Sequence, residues 1–309
     1  MADAADIVLV DWGTSTLRVW ALDRQGRTVG QRRSERGMGR LTPADFAPEL
    51  QANLTALDVE ADVPVLICGM AGAAQGWREA GYLDIPSDLA DLAGAALRVG
   101  GQDRDIRILP GMAQRSAACP DVMRGEETIL YGLVCRGIEN GLVCLPGTHA
   151  KWARIQASRL IGFRTLMTGE IYELLVQQSI LRHTIGKGDW SDEDFTVAVA
   201  EAYEAPMKTV SELFALRAGP LLFGQARRNG TARLSGLLIG AELAIGMQAH
   251  TDEPLILAAT AGAADRYLAA CGEVGIACRL IDAERAVGDG LYALASKIWP
   301  ERRLEGSFQ

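Results

Sequence analysis

Hydrophobic positions along this chain come in two patterns: short, nearly unbroken runs bounded by turn formers, and longer stretches where apolar residues recur every three or four positions. Residues 7–11, 17–23 and 27–33 are three closely spaced runs of the first kind, and they predict a meander whose second turn is Asp23-Arg24-Gln25-Gly26. Thr42 and Pro43 open a helix expected to reach about Leu57. A continuous apolar run over 64–68 predicts a strand covered on both faces, ending at Gly69-Met70-Ala71-Gly72. Residues 72–88, rich in Gly and Ala and carrying Gln75, Trp77, Arg78 and Tyr82, read as loop and broken helix suited to a cleft wall.

Residues 106–109 predict a further strand at the edge of the same sheet. A helix is expected to start within 123–128, with Ile129, Leu130, Leu133 and Val134 at helical spacing, and to end near Gly137, crossing between two lobes. Strands are expected at 142–145, after the following turn, and again from Arg159. A helix should run from Thr168 through Leu181. Residues 183–230 read as a polar helical insertion with Ser191-Asp192-Glu193-Asp194 as an acidic N-terminal cap. An apolar helix over 234–247, a buried strand over 254–258, a helix through Ala270, a strand over 277–282 and a helix over 283–297 complete the second half.

Two of the turns carry chemistry. The first apolar run ends in Asp11-Trp12-Gly13-Thr14-Ser15-Thr16 before the chain resumes as a strand. Gly13 lets the backbone approach an anion, Thr14 and Thr16 offer hydroxyl and amide donors, Ser15 lies between them, and Asp11 can hold Mg²⁺ directly or through water. The pattern of strand, Gly-Thr turn and strand returns at Leu145-Pro146-Gly147-Thr148-His149, with Gly147 lying 134 positions after Gly13 in a chain of 309 residues. That spacing is expected of two similar half-domains, 1–140 and 141–309, each presenting one phosphate loop to a shared cleft. Leu145 stands where Asp11 stood, so the metal carboxylate belongs to the first loop alone. A third turn, Thr260-Ala261-Gly262, joins a buried strand to a helix N-terminus and is read as a further anion or nucleotide contact.

The net charge of −8 argues against nucleic acid as a partner, since a phosphodiester backbone demands a basic face. An anionic small molecule remains compatible with it where local Arg side chains receive the charge. No apolar run approaches membrane-spanning length, and the acidic start leads straight into a strand, so a cytoplasmic protein without a leader is expected. The six cysteines include no Cys-x-x-Cys pair and there are three histidines, so the cysteines read as small buried hydrophobes rather than zinc ligands. A homodimer is expected only because dimers are common.

The strings VDWGTSTLRVWALD, GMAGAAQGWREAGYLDIP, MRGEET, LPGTHAKW and LMTGE resemble the 2-dehydro-3-deoxygalactonokinase family, within the actin, hexokinase and Hsp70-like ATPase superfamily. The resemblance runs from Ile7 to about Lys297. It implies an α/β protein with a two-lobed, ribonuclease H-like fold and a nucleotide cleft between the lobes. The implied reaction moves the γ-phosphoryl of ATP, with Mg²⁺, to the 6-hydroxyl of 2-dehydro-3-deoxy-D-galactonate. A kinase for another hexose or aldonic acid, or an ATPase without a sugar substrate, would use the same scaffold.

Under this resemblance Gly13, Thr14, Ser15 and Thr16 wrap the terminal phosphates from one side, and Gly147 and Thr148 from the other. Of His149 and Lys151, one is expected to reach phosphate. Thr260, Ala261 and Gly262 take the adenosine end. Glu126 or Glu127, at the start of a helix, is expected as the base for the attacking hydroxyl, with Glu126 slightly favoured because residues 128–130 define the buried face. Acidic residues at that position are also favoured by the helix dipole alone. Arg124 is a candidate for the substrate carboxylate. Gly72, Gln75, Gly76 and Trp77 would line the sugar pocket, with plain interface filling as the alternative for Trp77. Arg18 would face the substrate or decorate the sheet edge, and Thr168, Gly169 and Glu170 would close over the substrate.

Overall fold

A computed structural model describes residues 4–185, 190–223, 228–248, 254–302 and 304–309. The chain divides into two compact units, one of Met1–Asn140, Ile155–Gly162 and Ala283–Gln309, the other of Gly141–Arg154 and Phe163–Asp282. The longest segment of the first unit ends at Asn140. The C-terminal helix does not follow the sequence order: together with the hairpin tip 155–162, it groups with the first unit rather than completing the second.

The first unit is built on strands β1 (Ile7–Trp12), β2 (Leu17–Leu22), β3 (Thr28–Ser34), β4 (Val65–Gly69), β5 (Tyr82–Asp84), β6 (Ser87–Asp88), β7 (Leu97–Arg98), β8 (Ile106–Ile108), β9 (Gly111–Gln114) and β10 (Asp121–Met123). Its main sheet has the order β3-β2-β1-β4-β8-β7. The first three strands form the expected antiparallel meander, while β4 and β8 run parallel to β1. The run read as an edge strand is thus one position inside the edge, which the two-residue β7 occupies. Residues 72–88, expected as loop and broken helix, supply β5 and β6; β5 pairs with β9 in a small second sheet.

Alternation sorts β1 onto two buried faces. Val8, Val10 and Trp12 pack with Phe46, Leu50 and Leu54 of helix α1 (Phe46–Ala56). Ile7 and Leu9 on the opposite face are equally buried. Helix α2 (Glu126–Cys135) starts where Glu126 and Glu127 predict, ending two residues before Gly137.

The second unit repeats the plan. Strands β11 (Gly141–Leu145), β12 (Ala150–Gln156) and β13 (Arg159–Leu166) follow one another, and β14 (Leu255–Ala259) and β15 (Cys278–Asp282) lie on the far side of β11 in the order β15-β14-β11-β12-β13. Both late strands are parallel, β14 to β11 and β15 to β14. The two-residue turn at Ala157 and Ser158, with φ of 49° and 63°, joins β12 to β13 as a tight hairpin.

The expected long helix from Thr168 is two pieces, α3 (Thr168–Gln177) and a 3₁₀ turn at Ile180–His183. The helical insertion supplies α4 (Asp192–Glu204), capped by the Ser191 hydroxyl on the Asp194 amide, and α5 (Thr209–Phe223). Residues 186–189 and 224–227 of the stretch read as insertion lie outside the described residues. Helices α6 (Arg228–Gly246) and α7 (Ala261–Glu273) cover the sheet through Ile239, Leu243, Ala264 and Tyr267. The final helix, α8 (Ala283–Ile298), packs along α2 and against β1 and β4 of the first unit.

Candidate active site

Strand register assembles the first cluster. Asp11 is the last residue of β1 on the face of Ile7 and Leu9, and it sits directly opposite Arg18 on β2 and Cys68 on β4. The Arg18 guanidinium therefore reaches Asp11 Oδ2 at 2.8 Å and, with its other amino group, Glu284 Oε2 in the first turn of α8 at 2.9 Å. The Cys68 Sγ lies 3.8 Å from Asp11 Oδ1. Burial raises the Asp11 pKa, with the charge of Arg18 opposing. Burial alone would lower the Arg18 pKa, but Asp11 and Glu284 outweigh it and raise it. Arg18 is thus a strut between two carboxylates, neither an edge decoration nor a side chain free to turn outward, although its Nε is buried without a partner.

The turn after Asp11 is held from behind. Gly13 N–H donates to Thr16 O at 2.9 Å, and the amides of Met38 and Gly39 donate to the carbonyls of Gly13 and Thr14 at 3.0 and 2.9 Å. Thr14 and Ser15 are exposed, Gly13 and Thr16 half-buried.

The start of α2 brings two carboxylates and a guanidinium together. Gly125 enters at a φ of 108°, a region open to glycine, and this sharp entry lets both acidic side chains fold back on the helix N-terminus. Glu126 Oε2 accepts from the Arg124 amide at 3.1 Å, and Glu127 Oε2 accepts from the Gly125 amide at 2.7 Å. Glu126 is half-buried; Glu127 is fully buried and shares the inner face with Thr128 and Leu130. Burial, reinforced by the neighbouring Glu126 charge, pushes the Glu127 pKa up to about 7. The Cys68 thiol is pushed up by burial and by the charges of both Asp11 and Glu127, so this cysteine marks the ground shared by the two carboxylates.

Arg124 donates from Nη2 to Gly81 O at 2.8 Å and stacks with its guanidinium carbon 4.4 Å from the Tyr82 ring centre. Its Nε and Nη1 are buried and have no partner. Gly72 leaves room for it: a Cβ there would come within 2.8 Å of Nη1. Trp77 does not join this group. It stacks on Phe46, with ring centres 6.3 Å apart, inside the core, so the expectation that it lines a sugar pocket is corrected to core packing. Gly76 packs against the backbone of Met70 and Ala71, and Gln75 is exposed.

In the second unit the Gly147-Thr148-His149 turn is exposed and rests on the start of α3. A Cβ on Gly169 would stand 2.4 Å from Gly147 O, so only glycine admits this approach, which the Glu170 amide completes by donating to Thr148 O at 3.0 Å. His149 Nε2 meets Glu170 Oε2 at 2.5 Å, at the surface. Lys151 is buried, with its Nζ donating to His149 O at 3.1 Å, so of this pair only His149 is at the surface.

A cavity of about 250 Å³ opens beside this turn, lined by Gly147, Thr168, Gly169 and Gly262 together with Tyr172, Ser235 and Arg266 among others. Thr168 and Gly169, expected over the sugar, thus share a cavity with the turn expected to take adenosine. Thr260 and Ala261 are exposed at the N-terminus of α7 outside the lining. Beneath the cavity lies a residue that sequence reasoning missed. Glu242 on α6 is buried and accepts from Trp152 Nε1 at 3.1 Å and from the Tyr267 hydroxyl at 3.0 Å, with Cys144 Sγ at 3.8 Å and the Thr168 hydroxyl also bonded. Burial raises its pKa while these hydrogen bonds oppose. Its one sequence signal is a lone carboxylate inside an otherwise apolar helical stretch.

Among the described residues no group of three or more His, Cys, Asp or Glu side chains could hold a metal, and no helix is long and apolar enough to cross a membrane. The donor set fits an ion carried by phosphate oxygens and water with a single protein carboxylate, which is the habit of Mg²⁺.

Two units with the same strand order, a meander followed by two parallel strands, define a ribonuclease H-like α/β protein of the actin and hexokinase type. The family model for 2-keto-3-deoxy-galactonokinase matches residues 11–294, and the chain belongs to that family. It is 42% identical over 305 residues, covering 97% of this chain and 100% of the relative, to a protein of Rhizobium meliloti (strain 1021) named probable 2-dehydro-3-deoxygalactonokinase. Identity to the 2-dehydro-3-deoxygalactonokinase of Escherichia coli (strain K12) is 32%, covering 95% and 99% of the two chains. A crystal structure from Sinorhizobium meliloti, of a protein assigned to the same activity, superposes with a TM-score of 0.92 at 42% identity, over 95% of this chain and 99% of that one. The chain is therefore a carbohydrate kinase, and its family implies ATP as phosphoryl donor.

Proposed function

We propose that this protein phosphorylates the 6-hydroxyl of 2-dehydro-3-deoxy-D-galactonate, using ATP and Mg²⁺, in the cytoplasm. The observation that carries the acid-sugar reading is Arg124, a buried guanidinium with Nε and Nη1 lacking partners beside the two carboxylates of α2. A buried N–H group left without an acceptor costs about 1–3 kcal/mol, and a substrate carboxylate would relieve that cost with charge-assisted hydrogen bonds. The two curated relatives named for this activity support the choice of acid.

In this reading Glu127 takes the proton from the 6-hydroxyl as its oxygen attacks the γ-phosphorus and the bond to the β-phosphate oxygen breaks, releasing ADP. A carboxylate poised near pH 7 accepts that proton more readily than one in the ordinary range. Phosphoryl transfer needs charge stabilisation more than covalent help, so the donors of Thr14, Ser15 and Thr16, in the turn that Gly13 allows, and those of Gly147 and Thr148 are assigned to the phosphates. Asp11 would hold Mg²⁺, which when bound neutralises charge on the β- and γ-phosphates. The cavity lined by Gly262, Thr168 and Tyr172 is assigned to the adenine end, for which its size is sufficient and the whole nucleotide's is not.

A coupled assay of ADP release against a panel of 2-keto-3-deoxy acids, aldonic acids and neutral hexoses tests the proposal. The expected result is turnover confined to the 2-keto-3-deoxy acids, and a rise in acid-sugar KM of about 10- to 100-fold in Arg124→Lys with KM for ATP unchanged. Equal ATP consumption with and without every sugar would leave an ATPase, and best turnover with a neutral hexose would remove the role of Arg124.

A further inference from the structure

Asp11 has beside it a cation able to occupy it completely. A guanidinium and a carboxylate left to themselves close two parallel hydrogen bonds, two nitrogens on two oxygens, and such a pair on Asp11 would leave little of its charge for a metal. Arg18 does not close it. Its Nη2 meets Asp11 Oδ2 at 2.8 Å, its Nη1 is turned to Glu284 Oε2 at 2.9 Å, and its Nε is buried with no partner. One nitrogen is left to Asp11, whose other oxygen, Oδ1, has Cys68 Sγ beside it at 3.8 Å. Arg33, opposite Arg18 on β3, comes within 3.7 Å of the same Glu284 oxygen, but it is 66% exposed, so water screens it.

We propose that Glu284 is a positioning residue of the Mg²⁺ site: by holding Nη1 it keeps Arg18 from pairing with both oxygens of Asp11, and so keeps that carboxylate available to the ion. The inference rests on the reading of Asp11 as the carboxylate that holds Mg²⁺. Glu284 is fixed where this role requires. It lies in the first turn of α8, and α8 is seated on α2 by two glycines, since a Cβ on Gly132 would overlap Ala286 O and one on Gly290 would overlap Thr128 O. Asp11, Arg18, Cys68 and Glu284 all belong to the first unit. Groups that orient a metal's ligand without touching the metal are worth about 10- to 100-fold in metal affinity, and Glu284 stands one guanidinium away from Asp11.

Isothermal titration of the full-length protein with ADP, once in Mg²⁺ and once in EDTA, tests the role without turnover. The wild type should bind ADP more tightly in Mg²⁺, and the ratio of the two dissociation constants measures what the metal adds. Glu284→Ala should reduce that ratio about 10-fold with ADP binding in EDTA no weaker, whereas a contact that merely holds α8 in place would weaken both. Glu284→Gln keeps an uncharged acceptor for Nη1, should lose a smaller part of the ratio, and covers the case in which the alanine impairs folding. In an Arg18→Gln background Glu284→Ala should change the ratio less than about two-fold, because the group it restrains is gone. A ratio within about two-fold of wild type in both Glu284 variants overturns the inference. So does an effect that persists in the Arg18→Gln background, which would make Glu284 a distant charge. A wild type with no gain from Mg²⁺, or an Asp11→Asn variant that keeps the gain, overturns the metal reading of Asp11 and this inference with it. Loss of the gain in Asp11→Asn beside unchanged Glu284 variants overturns this inference alone.

Discussion

The two Gly-Thr turns occupy equivalent places in two units of the same strand order, yet they differ in everything that bears charge. The first follows Asp11, whose carboxylate is locked by strand register between Arg18 and Cys68 and backed by Glu284. The second follows Leu145, buried in the core of its unit, and its nearest ion pair, His149 with Glu170, stands at the surface. Both units carry a strand, Gly-Thr turn and strand, while the residue ending the strand decides whether that turn is accompanied by a fixed negative charge. A repeated fold can thus present the same turn twice while placing a largely buried carboxylate before only one of them.

The largest effect is expected from removing that one charge. Asp11→Asn keeps the size and a hydrogen bond to Arg18 but should lower kcat about a thousand-fold or more, since transition-state charge would lose its organiser. Circular dichroism and thermal unfolding should show a folded protein, and near-normal turnover would mean that the two loops do not differ in function after all.

Next comes Glu127→Gln. Turnover should fall about 100-fold or more, whereas Glu126→Gln should leave most of it, and the acid limb of the wild-type kcat profile should bend near pH 7 and vanish in the Glu127 variant. Stability should move the other way. Burial raises this carboxyl from 4.5 to about 7, so its contribution to folding is complete below pH 4.5 and is lost as pH rises through 7. The glutamine has no such titration. Its margin over wild type should open across that window to as much as about 3 kcal/mol at pH 8, measured by urea unfolding. An unchanged pH profile in both variants would place the base elsewhere.

How much of this was legible before the structure follows from the range of the interactions. The strands of both meanders, the two turns and the start of α2 are local events, written in unbroken apolar runs, in Gly13 and Gly147, and in the acidic pair after Gly125. What was not legible depends on residues far apart in the chain. Arg18 meets Glu284 across 266 positions, which is why α8 groups with the first unit although it closes the sequence. Trp77, between Gly76 and Arg78, looks like part of a loop until Phe46 is seen stacked on it. The setting of Arg124 is a property of the space left by Gly72 and Tyr82, which no spacing rule encodes. Glu242 follows the same logic: a carboxylate on an apolar helix becomes intelligible only when Trp152, Tyr267 and Thr168 converge on it.

That network gives the third prediction. Glu242→Gln turns one acceptor oxygen into a donor facing indole, phenol, thiol and hydroxyl hydrogens, leaving at least one of them without an acceptor. A loss of about 1–3 kcal/mol in urea unfolding is expected. Because Thr168 and Tyr267 line the cavity assigned to adenine, KM for ATP should rise about 10-fold with KM for the acid sugar unchanged. A core group without influence on the cavity would lower stability and leave both constants alone.

The smallest effect is expected at the exposed turn, and it tests the comparison from the other side. His149 and Glu170 form a 2.5 Å contact, but their side chains are 49% and 36% exposed, so water and salt screen the pair. Glu170→Gln should therefore cost less than about 1 kcal/mol of stability, a difference that about 0.5 M salt should erase. If the second turn binds phosphate through its backbone and the Thr148 hydroxyl alone, His149→Ala should alter kcat and KM for ATP by no more than about two-fold. A ten-fold rise in KM for ATP in His149→Ala, with Glu170→Gln silent, would instead show that the imidazole contacts phosphate directly. The second loop would then carry a charge-bearing group of its own, placed after its glycine where the first loop has one before, and the contrast between the two turns would become one of position rather than of presence.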